Sequence, residues 1–232
     1  MSRYHMILAI LNRSFEKEYV SLCSHYRITK MTMMLGNGTA SKSILDYLGV
    51  ENNEKAVFQS VVAAANVSRL FTGLVSNMGI NLPGTGIAMS IPLESIAGAS
   101  SKKYLTEGQE SKEGEETKMG DNTYSLIVVI CEKGCSDMVM DAARGAGARG
   151  GTVVHAKGTG TAETAKFFGV SITPEKEMIY IAAQKTGKDD IMRAIMTEAG
   201  ATTKAKAIVF SLPVEDIVGL TTIINDEESQ NL

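Results

Sequence analysis

The chain has no tryptophan, four prolines and three cysteines in its 232 residues, and aromatics make up 6%. Three cysteines cannot all pair, and no basic-then-apolar leader pattern is read at the start, so a secreted disulfide framework is not expected. Cys131 and Cys135 lack the C-x-x-C spacing, and no histidine beside them completes a zinc site. Reduced thiols in the cytoplasm are the expectation. Apolar runs stop well short of the roughly 20 residues of a membrane span. Lys and Arg (23) are balanced by Asp and Glu (26), a net charge of −3, which leaves no basic footprint for nucleic acid. No Ser/His/Asp set or carboxylate pair stands out, so an enzyme is not expected. With 44% hydrophobic and 21% charged residues, disorder as a whole is excluded too.

What the sequence does contain is a repeat. Arg149–Ala183 reads as a strand (Gly151–Ala156), a Gly/Thr turn (Lys157–Gly160), a polar connection and a second strand (Met178–Ala183). Lys30–Ala63 is a weaker copy: Thr32, Gly38, Thr39 and Gly49 fall on Thr152, Gly158, Thr159 and Gly169, 120 positions on. Upstream, the apolar run Tyr4–Leu11 is matched by Tyr124–Cys131, central-strand candidates. Helical spacing follows in Phe15–Tyr26 and Ser136–Arg144, and again in Ser68–Asn77 and Asp189–Ala199. The echo is clearest at the end of each copy. There Ile87-Ala-Met-Ser-Ile-Pro-Leu-Glu-Ser-Ile-Ala-Gly98 aligns with Ile208-Val-Phe-Ser-Leu-Pro-Val-Glu-Asp-Ile-Val-Gly219, now 121 positions on.

Each half is thus β-α-β-β-α-β. The predicted fold is α+β: two tandem ferredoxin-like domains, each a four-stranded antiparallel sheet with helices on one face. Domain 1 spans 1–100, a flexible polar linker 101–122, and domain 2 with its C-terminal tail 123–232. The composition break at Ala99–Thr123 makes the halves separately folded units with a protease-sensitive connection. The helix-free sheet faces read as apolar, so they are expected to pack on other copies in a homo-oligomer.

Two glycine motifs come close to phosphate-site patterns. Gly36–Ser43 (GNGTASKS) is one residue from a P-loop, but Ser41 replaces the second glycine. Gly145-Ala-Gly147-Ala-Arg-Gly150 spells G-x-G-x-x-G but follows a helix, the reverse of a dinucleotide fingerprint, and reads as a helix stop. The scattered histidines His5, His25 and His155 suggest no ligand set. Lys185, Lys188, Lys204 and Lys206 flank the last helix and read either as solvated surface lysines or as converging on the Gly158 turn, an anion site.

The element order, the T-V-x-x-x-K-G-x-G run at Thr152–Gly160 and the F-x-x-P-V-E-D-I-V run at Phe210–Val218 resemble the P-II nitrogen-regulatory signal proteins. The resemblance covers both halves, like a tandem fusion of two P-II-like domains. It implies a non-catalytic signalling protein in which an effector, an adenine nucleotide (ATP, ADP or AMP), binds in clefts between domains. It also implies three-fold packing, hence a trimer of chains, and a partner protein such as a transporter or enzyme. Carried over, the candidate ligand residues in the second half are Thr152, Lys157, Gly158, Thr159, Gly160, Lys204 and Lys206. In the first half they are Thr32, Gly36, Gly38, Thr39, Gly84, Thr85 and Gly86. Loops Thr39–Asn53 and Thr161–Pro174 would contact the partner. No obligatory cofactor and no metal are implied; Ala162 and Lys42 stand where the family has its magnesium- and 2-oxoglutarate-linked glutamine. The alternatives are an enzyme or metal-handling protein on the same scaffold, or a ligand-free scaffold.

Overall fold

The apolar run at the start of the chain forms β1 (Tyr4–Asn12), paired on both sides, by β3 (Glu54–Ala63) and by β4 (Gly86–Pro92). Its two faces lie in two different cores, Ile7, Ala9 and Leu11 in one and Leu8 and Ile10 in the other, which is why its hydrophobicity is nearly continuous. A computed structural model provides the coordinates, and the structure describes residues 4–39, 53–109, 123–158, 165–167, 170–172 and 175–220. Helix α1 (Glu16–His25) leads into β2 (Met31–Gly38), and α2 (Ala64–Ser76) joins β3 to β4. The second half repeats this order. It runs β5 (Tyr124–Glu132), α4 (Ser136–Gly145), β6 (Thr152–Lys157), β9 (Glu175–Gln184), α5 (Lys188–Ala199) and β10 (Ile208–Val214). Between β6 and β9 lies a two-stranded ribbon, β7 (Ala165–Phe167) on β8 (Val170–Ile172). The expected β-α-β-β-α-β order is present in both halves, each with spatial order 4-1-3-2.

Local chemistry repeats with the topology. The first helix of each half ends in the same six-residue closure, Ile28 N–H donating to Cys23 O (2.8 Å) and Ala148 N–H to Ala143 O (2.9 Å). The residue before each closing donor is left-handed. In the second half it is Gly147 (φ +95°); in the first it is Arg27 (φ +59°), which carries the strain without a glycine. Helices α1 and α2 cover the outer sheet face, where Tyr19 packs on Phe58 with ring centroids 4.7 Å apart. Helices α4 and α5 do the same over Ile127, Val129, Ile179 and Ile181.

The two halves are not separate. Strand β2 pairs antiparallel with β6 (Gly36 with Val154, Gly38 with Thr152), giving, with β11 (Asp216–Val218), one nine-stranded sheet of order β10-β5-β9-β6-β2-β3-β1-β4-β11. The sheet then closes. After Val214 the chain bends at Glu215 and continues as β11 (Asp216–Val218), which pairs with β4, at the far end of the sheet from β10. Glu215 N–H donates to Ser90 O (2.9 Å), and Ser90 Oγ donates to Asp216 Oδ2 (3.1 Å). His5 Nε2 lies 2.5 Å from Glu215 Oε2 at the same corner.

Inside this barrel the two helix-free faces meet. Leu8, Val57 and Met89 of the first half pack in one core with Leu126, Val128 and Tyr180 of the second. The expectation that these faces need other copies is therefore corrected, because one chain covers both. The halves, expected to be separately folded units, share this core. The linker changes too. Ala99–Leu105 is a short helix, α3, and Gln109 caps the end of β3 beyond its pairing with β2, accepting from Ala63 N–H (2.8 Å) and donating to Val61 O (2.9 Å). Residues 110–122 lie outside the described residues. Trypsin cutting at Lys112 or Lys118 is expected to leave two fragments that co-elute in size-exclusion chromatography without denaturant. Fragments that separate would show that the shared core does not hold.

Candidate functional site

Cavities form where the two halves meet. One, of about 270 Å³, is walled by the first half's loop Leu82–Gly86, by Lys55 at the start of β3, by Thr152 of β6, and by Gly219 and Leu220 after β11. Lys55 falls on the inner face because it is in phase with Val57, which packs in the barrel core. Burial pushes its ammonium below the ordinary lysine value. No ion pair or hydrogen bond among the described residues engages that ammonium, and its Cε lies 3.2 Å from where a Cβ on Gly38 would be. A half-buried cation with no partner among the described residues, beside a glycine-bearing loop, is suited to an anion.

The loop keeps its glycines for geometry. Gly84 has φ +85°, and Gly86 has φ +148° with Ile10 O only 2.4 Å from any added Cβ. Gly219 (φ +82°) closes the opposite wall; an added Cβ would come within 2.1 Å of Gly86 O, and its N–H donates to Asn81 Oδ1 (2.9 Å). Both halves supply a wall, so the cavity exists only while β11 is docked.

The sequence candidates are distributed unevenly around this site. Thr152, Gly84 and Gly86 come together on it. Thr85 is buried beside them, its carbonyl taken by Asn12 N–H (2.8 Å). Gly36 and Gly38 serve close packing instead: a Cβ on Gly36 would meet Val153 O at 2.7 Å, and one on Gly38 would meet Asn53 Oδ1 at 2.4 Å. Thr39 belongs to the joint between halves, its Oγ1 accepting from Gly151 N–H (2.8 Å) and its carbonyl from Arg144. Thr32 lines a different cavity, of about 360 Å³, under α3. The lysine there is engaged: Lys30 Nζ lies 3.3 Å from Glu107 and 4.7 Å from the Tyr104 ring centroid.

The second-half lysines do not converge as the sequence suggested. Lys204 and Lys206 are exposed on the turn before β10, three strands from β6 and Gly158. Lys185 and Lys188 lie at the other end of α5, and Lys188 pairs with Asp189 (3.2 Å). A helix of 12 residues holds the two pairs about 18 Å apart. Lys157 faces Glu175 across the ladder, whose carboxyl is held below its usual value by its hydrogen bond with Lys133. Thr159 and Gly160 lie outside the described residues, as do positions 40–43 of the near P-loop.

Cys131, Glu177 and His155 occupy one row of the sheet, yet Glu177 accepts from Ser136 N–H (3.1 Å) at the start of α4. Burial, with Glu177 beside it, pushes the Cys131 thiol up to about 12. Among the described residues no group of three or more His, Cys, Asp or Glu is placed to hold a metal. No helix among them is long and apolar enough to cross a membrane.

Sequence reasoning missed Lys55. A single lysine at a strand start reads as surface, and its phase with Val57 was the available signal.

No curated protein matches the chain. Among solved structures, the crystal structure of Arabidopsis thaliana PII bound to citrate is similar at 21% identity, over 41% of this chain and 79% of that one, with a TM-score of 0.33. The sequence model of the family described as nitrogen regulatory protein P-II matches residues 124–223. The second half of the chain, with the β-α-β-β-α-β order described above, is thus similar to the nitrogen regulatory P-II family.

Proposed function

We propose that the chain is a non-catalytic regulatory protein that binds a small anionic effector between its halves. The observation that carries this reading is the unpartnered ammonium of Lys55 facing a cavity that both halves wall. A volume of about 270 Å³ is just below the ~300–1,000 Å³ of drug-sized ligand sites. It suits a small anion, or the phosphate end of an adenine nucleotide whose remainder projects outward. The site also explains how a signal would leave. Gly38 N–H donates to Asn53 O (2.8 Å), so these residues clasp the base of the 39–53 loop, and Lys55 stands two residues beyond. An effector on Lys55 acts where that loop re-enters the sheet, and the loop then contacts a partner protein. The cytoplasm suits three buried free thiols.

Calorimetric titration with ATP, ADP, AMP and pyrophosphate, beside a phosphate-release assay, tests the reading. Binding without turnover is expected, and Lys55→Ala should weaken it roughly 10- to 150-fold, the scale of about 1.5–3 kcal/mol for a hydrogen bond to a charged group. Affinity should also fall with rising pH, beginning below the range where a solvent-exposed lysine deprotonates, because burial lowers the pKa of Lys55 and the anion needs its charged form. Equal affinity in Lys55→Ala, or steady ATP hydrolysis, would sink it.

A further inference from the structure

The barrel seam is closed on one side only. Strand β11 pairs with β4 through Asp216 with Ser90, Ile217 with Met89, and Val218 with Ala88. The repeat relates positions of the two halves by 121 at this end of each copy, so the matching residues are Ser95, Ile96 and Ala97 for β11, and Ser211, Phe210 and Val209 for β4. Yet 93–98 form no strand, and among the described residues β10 pairs with β5 alone. The open edge leaves large apolar side chains in water: Ile208 is 62% exposed and Phe210 41%. On the closed side their counterparts are covered, with Met89 fully buried and Ile217 packed against the same core.

We propose that Glu94–Gly98 is a strap for the open edge of β10, adding as an antiparallel strand with Ser95 opposite Ser211, Ile96 opposite Phe210 and Ala97 opposite Val209. The segment carries the same E-x-I-x-G pattern as Glu215–Gly219, which occupies the equivalent slot in this structure. Ile96 then lies on the inner face beside Phe210, as Ile217 lies beside Met89. Pro92 and Pro213 sit at matching positions next to the crossover, where a missing N–H costs no ladder hydrogen bond. The strap is held away by its own neighbours. Helix α3 begins directly after Gly98, with Lys102 Nζ 5.2 Å from the Tyr4 ring centroid. The chain therefore has two arrangements, strap out with α3 docked and strap in with the seam complete. This inference stands apart from the effector reading.

Cysteine pairs test it. Asp216→Cys with Ser90→Cys reports the closed seam, and Ser95→Cys with Ser211→Cys reports the strap; the native thiols are buried and do not compete. With oxidised glutathione, the strap pair is expected to form an intramolecular disulfide within about ten-fold of the seam pair's rate, while Ser95→Cys with Val209→Cys lags behind both. A strap pair that stays reduced, or that links chains to each other, overturns the proposal. In a cysteine-independent check, Ile96→Asp is expected to speed hydrogen exchange in a 208–212 peptide, because the exposed segment no longer visits the edge. Unchanged exchange there overturns it equally.

Discussion

Replacing Leu8 by alanine is expected to cost about 2–5 kcal/mol, the range for deleting a large buried aliphatic side chain. Both halves should lose protection together. Leu8 is fully buried in the core that Val57 and Met89 share with Leu126, Val128 and Tyr180. Its cavity would open between the two sheets rather than within one. Urea denaturation followed by circular dichroism gives the size of the loss. Hydrogen exchange on peptides from 4–39 and 175–220 shows where it is felt. A second half that keeps its protection while the first half loses it would mean the barrel interior is not a common core.

Gly219→Ala should undock β11 and abolish effector binding together. A Cβ there meets Gly86 O at 2.1 Å and Ile80 O at 2.9 Å, both backbone atoms of the loop region that walls the cavity. The left-handed φ of +82° adds strain for any side chain. Relieving the overlap moves Gly219 and Leu220 away, and with them the β11–β4 pairing and the Gly219 hydrogen bond to Asn81. The stability cost is on the order of 1–3 kcal/mol, but the loss of binding should be complete. Gly219→Asn separates the two causes, since asparagine tolerates a left-handed backbone yet still carries a Cβ. Equal damage from both substitutions identifies the overlap. A Gly219→Ala protein that binds as before would remove this wall from the site.

The element order was legible because it was written twice. Tyr4–Leu11 and Tyr124–Cys131 read alike and fold alike, and Gly147 marks a helix end that Arg27 repeats. Closure of the sheet was not legible, because it depends on which edges meet. Gly36 reads as a ligand glycine and serves to let the β6 backbone approach. Lys204 and Thr152 lie in one repeat, so they invited one site, but the antiparallel joint of β2 and β6 gives Thr152 to the other half's loop. Ser95–Ala97 and Asp216–Val218 read as equivalents, and no local pattern says which of them docks.

The two mouths of the barrel differ in chemistry. At one, the loop Leu82-Pro-Gly-Thr-Gly86 stands beside Lys55; at the other, the equivalent loop is Thr203-Lys-Ala-Lys-Ala207, and Glu175 takes the place of Lys55. Cooperativity between identical sites requires that the sites be identical. Among the described residues, an effector that selects Lys55 has no matching second site through which its own binding could be amplified. Occupancy within one chain then follows a simple hyperbola, and the output is graded with effector concentration rather than thresholded.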